Sequence, residues 1–301
     1  MDNTQTRSGF VALIGPPNAG KSTLMNQMVG QKVSIVTPKV QTTRSRIRGI
    51  AMKGTSQMVF VDTPGIFTPK RRLDRAMVHA AWQGADDGDV LLLLHDCARK
   101  VIDDDTLAIL AKIKEQKLTV SLILNKTDLA TPKKLLTRTK ALSDEYDFEK
   151  IFMVSAEYGH GVEDVKSWLA EKMPLSPYLF DPEDLSDLPQ RLLAAEVLRE
   201  KLFLNLHQEL PYQMTVETDG WEEKKDGSAE IRVSVYVSRE GHRGIVLGKG
   251  GQTLRRIGQS ARLELEEALD RRIHLLTHVK YRKDWMDDKE RYADWDLNFD
   301  A

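Results

Sequence analysis

The chain has 301 residues, more than a single domain usually holds, and its basic and acidic side chains nearly balance at a formal net charge of −1. That excludes a uniformly basic nucleic-acid binder, although a global sum can hide opposed patches. A lone cysteine, Cys97, excludes an intrachain disulfide, suits a reducing compartment and reads as inert packing. Residues 1–8 are polar and lack the apolar core of a signal peptide, and the run 90–94 is too short to span a bilayer, so a soluble cytoplasmic protein is expected.

In chain order, the first half alternates short apolar runs with helical patterns. The runs 10–14, 58–61, 90–95, 120–124 and 151–154 predict strands, and their continuous apolar character fits a sheet covered by helices on both faces. The pattern stops across 173–189, where four prolines accompany Asp181, Glu183, Asp184 and Asp187, as a linker would. A helix follows, with Ala195, Leu198, Leu202 and Leu206 on one face. Ile231, Val233, Val235 and Val237 then alternate with polar residues in a half-buried strand, a turn Gly248-Lys249-Gly250-Gly251 leads into a helix over 252–269, and Ile273, Leu275, Thr277 and Val279 mark a last strand. The second half therefore reads αββααβ. The expected fold class is α/β, a P-loop domain with a mostly parallel doubly wound sheet at 1–174, then a linker at 175–188, an α+β domain at 189–283 and an acidic tail at 284–301. Five basic residues against Glu240 between Arg239 and Arg256 contrast with seven acids against Lys289 and Arg291 between Asp284 and Asp300. Trp285 and Trp295, which flank that acidic stretch, read as packing for the last strand rather than caps on a groove.

The chemistry concentrates in the first domain. Gly15-Pro16-Pro17-Asn18-Ala19-Gly20-Lys21-Ser22, between a strand and a helix, is a phosphate-gripping loop whose glycines let backbone N–H groups close on phosphates. Lys21 should reach the β and γ phosphates, the Ser22 hydroxyl should ligate Mg²⁺, and Ala19, Gly20 and Thr23 complete the contact. Asn125-Lys126-Thr127-Asp128 selects guanine, because the Asp128 carboxylate accepts from the ring N–H and the exocyclic amine, a donor pair adenine lacks. Asp62-Thr63-Pro64-Gly65 places a carboxylate near Mg²⁺ and a glycine N–H near the γ-phosphate, and Ser155-Ala156-Glu157 is the second guanine loop.

These four motifs in this order resemble the Ras-like GTPase superfamily, and the first of them together with Gln41-Thr42-Thr43-Arg44 resembles its Era branch over the whole chain. The resemblance implies GTP/GDP and Mg²⁺ as ligands, with Ser22, Asp62 and a switch threonine holding the metal. Related switch threonines directly precede an arginine, which points to Thr43; Thr42 stays open. Lys21, Thr43, Gly65 and Asn18 are the catalytic candidates. The position after the sensor glycine, where Ras-type enzymes orient water with glutamine, is Ile66 here, so slow intrinsic hydrolysis is expected. Asn18 matches the asparagine that binds K⁺ in potassium-activated relatives, where the ion supplies charge at the transition state. Arg71 and Arg72 read as a solvated switch surface.

The second domain resembles a type II KH domain, which Era proteins carry at their C-terminus. Gly248, Lys249, Gly250 and Gly251 would clamp a single-stranded sugar-phosphate backbone, with Arg255, Arg256 and Arg262 on the following helix as phosphate contacts. The resemblance implies that the partner is the 3′ end of small-subunit ribosomal RNA and the role is small-subunit assembly, by a monomer that does not bind DNA. It also implies a peripheral inner-membrane fraction, for which the sequence shows neither a lipid anchor nor a sustained basic amphipathic helix. The competing reading is a GTP-binding regulatory module whose second domain docks a protein.

Overall fold

The computed structural model describes residues 5–39, 42–44, 46–207 and 209–301; Gln41 of the switch motif lies outside them. Two compact units are present, one formed by residues 1–187 together with 289–301 and the other by 188–288.

The first unit runs β1 (Arg7–Ile14), α1 (Lys21–Val29), β2 (Ile47–Lys53), β3 (Ser56–Asp62), α2 (Arg72–Asp86), β4 (Val90–Asp96), α3 (Asp104–Gln116), β5 (Ser121–Asn125), α4 (Pro132–Glu145), β6 (Ile151–Met153) and α5 (Val162–Lys172). Its six-stranded sheet has the order β2-β3-β1-β4-β5-β6 and is parallel except for β2, which pairs antiparallel with β3. Alternate residues of the strands face one apolar cluster: Ala12 and Ile14 of β1, Leu91 and Leu93 of β4, and Leu122 and Leu124 of β5 meet Ala81 and Trp82 of α2 and Ile109 and Ile113 of α3. Cys97 is wholly buried there, and burial pushes its thiol up to about 12, well out of the reactive range.

Two features of this unit's sheet and its C-terminal border differ from the sequence expectation. β2 was not predicted, because Ile47-Arg48-Gly49-Ile50 carries no continuous apolar run. It is an edge strand, and Gly49 lies so close to α1 that a Cβ there would meet Val29 Cγ2 at 2.8 Å. The stretch at 175–188 is not a free linker either. Its backbone follows the first unit, with Leu185 accepting from the Ile50 N–H at 2.9 Å, Gln57 Nε2 donating to the Phe180 carbonyl at 2.8 Å and Ser8 Oγ donating to that of Pro177 at 2.6 Å. The exposed edge of β2 is thereby covered over part of its length.

The second unit comprises α6 (Gln190–Asn205), β7 (Met214–Glu223), β8 (Ala229–Val237), α7 (Glu240–Leu247), α8 (Gln252–Leu269) and β9 (Ile273–Tyr281). β8 is central, antiparallel to β7 and parallel to β9. Its residues Ile231, Val233 and Val235 are buried against Leu198 and Leu202 of α6 and Leu254, Ile257 and Ala261 of α8. A final short helix, α9 (Lys289–Asp294), belongs to the first unit. The segment expected as an acidic tail is therefore divided: Trp285 is buried and donates Nε1–H to the Gln213 carbonyl at 3.3 Å, whereas Trp295 is buried in the other unit rather than on the last strand. No helix among the described residues is long and apolar enough to cross a membrane.

Candidate nucleotide and RNA sites

The phosphate loop connects the end of β1 to the first turn of α1, and its two glycines are required by what surrounds them. Gly15 has φ +149° and a Cβ would meet the Leu94 carbonyl oxygen at 2.5 Å; Gly20 has φ +96° and a Cβ would meet Asn125 Nδ2 at 2.2 Å. Lys21 folds back so that Nζ donates to the Gly15 and Pro16 carbonyls at 3.1 and 3.2 Å. Burial, assisted by Arg99 and opposed by Asp62, lowers its ammonium from the usual range to about 8.

Three hydroxyls converge on Asp62 at the end of β3. Ser22 Oγ donates to Oδ2 at 2.6 Å, Ser34 Oγ at 2.9 Å and Thr43 Oγ1 at 3.2 Å, while Ser22 and Thr43 are 3.1 Å apart. The other carboxylate oxygen, Oδ1, is buried without a hydrogen-bond partner, and burial raises the Asp62 pKa although Ser22, Lys21, Ser34 and Thr43 all work against that rise. A desolvated carboxylate with one unmatched oxygen beside two hydroxyls is a donor set of hard oxygens, and it fits Mg²⁺. Thr42 is not in this set: its hydroxyl donates to the Lys39 carbonyl at 2.8 Å and lies 2.6 Å from that of Thr37. Ser34 was not foreseen; its neighbour Asn26 holds it, Oδ1 accepting from the Val33 and Ser34 N–H groups and Nδ2 donating to the Ser34 carbonyl.

A cleft of about 280 Å³ opens beside these groups, lined among others by Asn18, Gly20, Lys21, Ser22, Thr23, Thr43, Gly65, Lys126 and Glu157. Gly65 presses on the phosphate loop so tightly that a Cβ would meet Pro17 backbone atoms at 2.8 Å. Ile66 turns the other way, its side chain buried with Ala81 and Trp82 and its N–H donated to the Gly15 carbonyl at 3.0 Å. Asn18, at φ +62°, donates Nδ2 to the Pro38 carbonyl of the switch segment at 2.9 Å. Arg99, which sequence reading missed, donates to the Pro17 carbonyl at 2.9 Å and pairs with Asp103 at 2.8 Å. It lies in the turn after β4, where nothing local marks it as part of the loop.

At the base end, Asp128 Oδ1 accepts from Ser155 Oγ at 2.5 Å, which joins the two guanine motifs. Asn125 binds the loops to each other: Nδ2 donates to the Ala19 carbonyl at 2.8 Å and Oδ1 accepts from the Ala156 N–H at 3.0 Å. The Ala156 N–H is thus engaged by Asn125 within the protein. Lys126, at φ +61°, reaches Asp96 at 2.8 Å and lays its stem along the cleft.

In the second unit, Gly248, Gly250 and Gly251 all have positive φ, and a Cβ on Gly250 or Gly251 would meet nothing within 4 Å. The turn between α7 and α8 is thus tight in backbone and open toward solvent, with Lys249 and Arg255 exposed. Arg256 donates to Asn205 Oδ1 at 3.3 Å. Arg262 is held by both oxygens of Glu266 at 2.8 and 2.7 Å, which sets it apart from Arg255 despite their shared helix face.

Comparison with known proteins agrees with both halves. Residues 10–126 match the family model described as 50S ribosome-binding GTPase, and residues 209–286 match the KH domain model. GTPase Era of Dinoroseobacter shibae is 53% identical over 297 residues, covering 98% of this chain and 96% of the relative, and that of Brucella suis is 52% identical over 296 residues, covering 98% and 95%. A crystal structure of Era in complex with MgGDPNP and nucleotides 1506-1542 of 16S ribosomal RNA superposes with a TM-score of 0.91 at 33% identity, over 96% of this chain and 98% of that one. An Aquifex aeolicus Era variant bound to GDP and AlF4⁻ gives a TM-score of 0.90 at 33% identity, over 96% and 99%. With a P-loop GTPase unit, a KH unit and relatives that match it nearly end to end, the chain belongs to the GTPase Era family.

Proposed function

We propose that this chain is a GTP-hydrolysing switch whose second unit binds single-stranded RNA at the 3′ end of small-subunit ribosomal RNA, in small-subunit assembly. The convergence of Ser22, Thr43 and Ser34 on the buried Asp62 carries the reading, because it puts the P-loop, the switch segment and the sensor strand on one charged group. Ser22, Thr43 and Asp62 would hold Mg²⁺, which supplies charge neutralisation on the phosphates when bound. Lys21 holds the phosphates, Gly65 offers its N–H to the γ-phosphate side of the cleft, and Asp128 orients guanine, with Asn125 and Ser155 fixing its surroundings.

Ile66 lies in the core and has no polar atom to orient water, so intrinsic turnover is slow. Asn18 is the group that compensates: its Nδ2–H donates to the Pro38 carbonyl of the switch segment, and its amide oxygen, a hard donor, would hold a K⁺ ion that supplies positive charge near the transferring phosphate. Lys249, Gly250 and the flanking residues Gly248, Gly251, Arg255 and Arg256 grip the RNA backbone. The RNA assignment is supported by the related Era structure with a 16S ribosomal RNA fragment. The protein acts as a monomer in the cytoplasm, with a fraction peripherally bound to the membrane; sedimentation of cell fractions tests it.

The decisive experiment measures multiple-turnover phosphate release with K⁺, Na⁺ and small-subunit RNA varied independently. Faster turnover in K⁺ and a further RNA-dependent rise are expected; rates indifferent to both would overturn the reading. Ile245, 58% exposed beside the glycine turn, favours a second reading in which this unit docks a protein. Binding that lacks a steep salt slope would decide for it.

A further inference from the structure

Both switches meet the C-terminal segment inside the first unit. Trp295, only 6% exposed, faces Arg44, whose Cζ lies 5.9 Å from the indole centroid. Phe299 faces Arg72, the first residue of α2, with Cζ 4.4 Å from its ring centroid. Tyr292 is fully buried between them, edge-on to Phe299 at 5.0 Å and 6.2 Å from Trp295. Asp296, at φ +53°, and the bond from the Leu297 N–H to the Tyr292 carbonyl at 2.8 Å turn the chain so that the three rings form one cluster. Arg44 is itself 3% exposed. A guanidinium held against an indole in a water-poor site gains more than one on the surface.

Arg44 is one peptide unit from Thr43, whose hydroxyl lies on Asp62 and Ser22. An arginine seated under Trp295 therefore fixes the backbone that presents the Thr43 hydroxyl, and Phe299, half-buried against the exposed Arg72, adds a weaker contact at the start of α2 beyond the sensor glycine. We infer that Trp295 and Phe299 are positioning residues for GTP hydrolysis, forming an aromatic clasp that holds the two switches in the arrangement with Thr43 at the metal site. Because the phosphate loop alone supplies Ser22, nucleotide held without Thr43 does not need the clasp. Docking of residues 289–301 thus follows the nucleotide state: closed with triphosphate, loosened with diphosphate. The inference rests on Thr43 as the switch ligand.

The test uses the full-length protein with GDP or a non-hydrolysable GTP analogue, each with Mg²⁺. Hydrogen–deuterium exchange of residues 289–301 should be slower with the analogue than with GDP, and Trp295→Ala should remove that difference. In hydrolysis assays, Trp295→Ala should raise the Mg²⁺ concentration for half-maximal kcat on the order of fivefold to thirtyfold, leave GDP affinity unchanged, and be largely rescued by Trp295→Phe. Equal exchange in the two states, or an unchanged Mg²⁺ requirement in Trp295→Ala, would overturn the clasp. Equal loss of GDP and analogue affinity would also overturn it, by showing a folding lesion. Thr43→Ala separates the underlying assignment: if it leaves the Mg²⁺ requirement unchanged, the ligand is wrong, whereas an effect of Thr43→Ala without one of Trp295→Ala sinks the clasp alone.

Discussion

The phosphate loop and the glycine turn before α8 each lead into a helix, and they are built on opposite plans. In the first, Gly15 and Gly20 are enclosed, one against the Leu94 carbonyl and the other against the Asn125 amide, so the backbone has no room to move. In the second, Gly250 and Gly251 also take positive φ, at +58° and +78°, but in open space. A closed cradle suits a small anion that must be held at one geometry for chemistry. An open turn suits a long polyanion that must be admitted from the side and released. Positive-φ glycine serves both, and its neighbours decide which.

That contrast can be broken by experiment. Between the glycines the larger effect is expected from Gly20→Ala, which forces the Asn125 tie apart and should lower GTP affinity by more than about 100-fold in equilibrium titration, whereas Gly250→Ala should keep GTP affinity and cost only about 1 kcal/mol of backbone strain in denaturant unfolding. Asp128→Asn should reduce GTP affinity by a factor on the order of 10⁴ and favour xanthosine triphosphate, since a polar site left unpaired discriminates strongly. In the open loop, replacing Lys249 and Gly250 together by Asp should abolish RNA binding and flatten its dependence on salt in filter-binding titrations, with nucleotide affinity untouched. Asn18→Ala should remove the advantage of KCl over NaCl in turnover, by roughly tenfold or more if the ion replaces an arginine finger.

The smallest effect concerns protons. Lys21 titrates at about 8 in the nucleotide-free protein, so raising pH through 8 discharges the cradle and should weaken nucleotide binding. Phosphate charge restores the proton, so calorimetry in buffers of different ionisation enthalpy should register proton uptake on binding at pH 8.5 and little at pH 6.5. The linkage has a definite sign: between the folded value and the ordinary lysine range the unfolded chain binds more protons, so this group makes the free protein more stable as pH rises there.

Much of this was legible from local pattern. The parallel strands announced themselves as apolar runs, and the P-loop, the guanine motifs and the glycine turn lie within short stretches whose residue types answer to one ligand. The edge strand β2 did not, because Arg48 and Gly49 interrupt its apolar pattern. Asn125 was legible as part of a guanine motif, but its work as a tie between Ala19 and Ala156 joins residues remote in the chain. Arg99 on the phosphate loop and Ser34 on Asp62 were silent for the same reason.

The sequence by itself determined the ligand chemistry, since phosphate, guanine and RNA backbone are recognised by groups spaced a few residues apart. Tertiary structure alone put the Thr43 hydroxyl on Asp62 and the Thr42 hydroxyl on the Lys39 carbonyl, sent Ile66 into the core and turned Asn18 toward Pro38. It also carried Trp295 from an acidic tail to the arginine beside the switch threonine. Each of these choices depends on burial and on contacts between segments far apart in the chain, and free energy of that kind has no local signature.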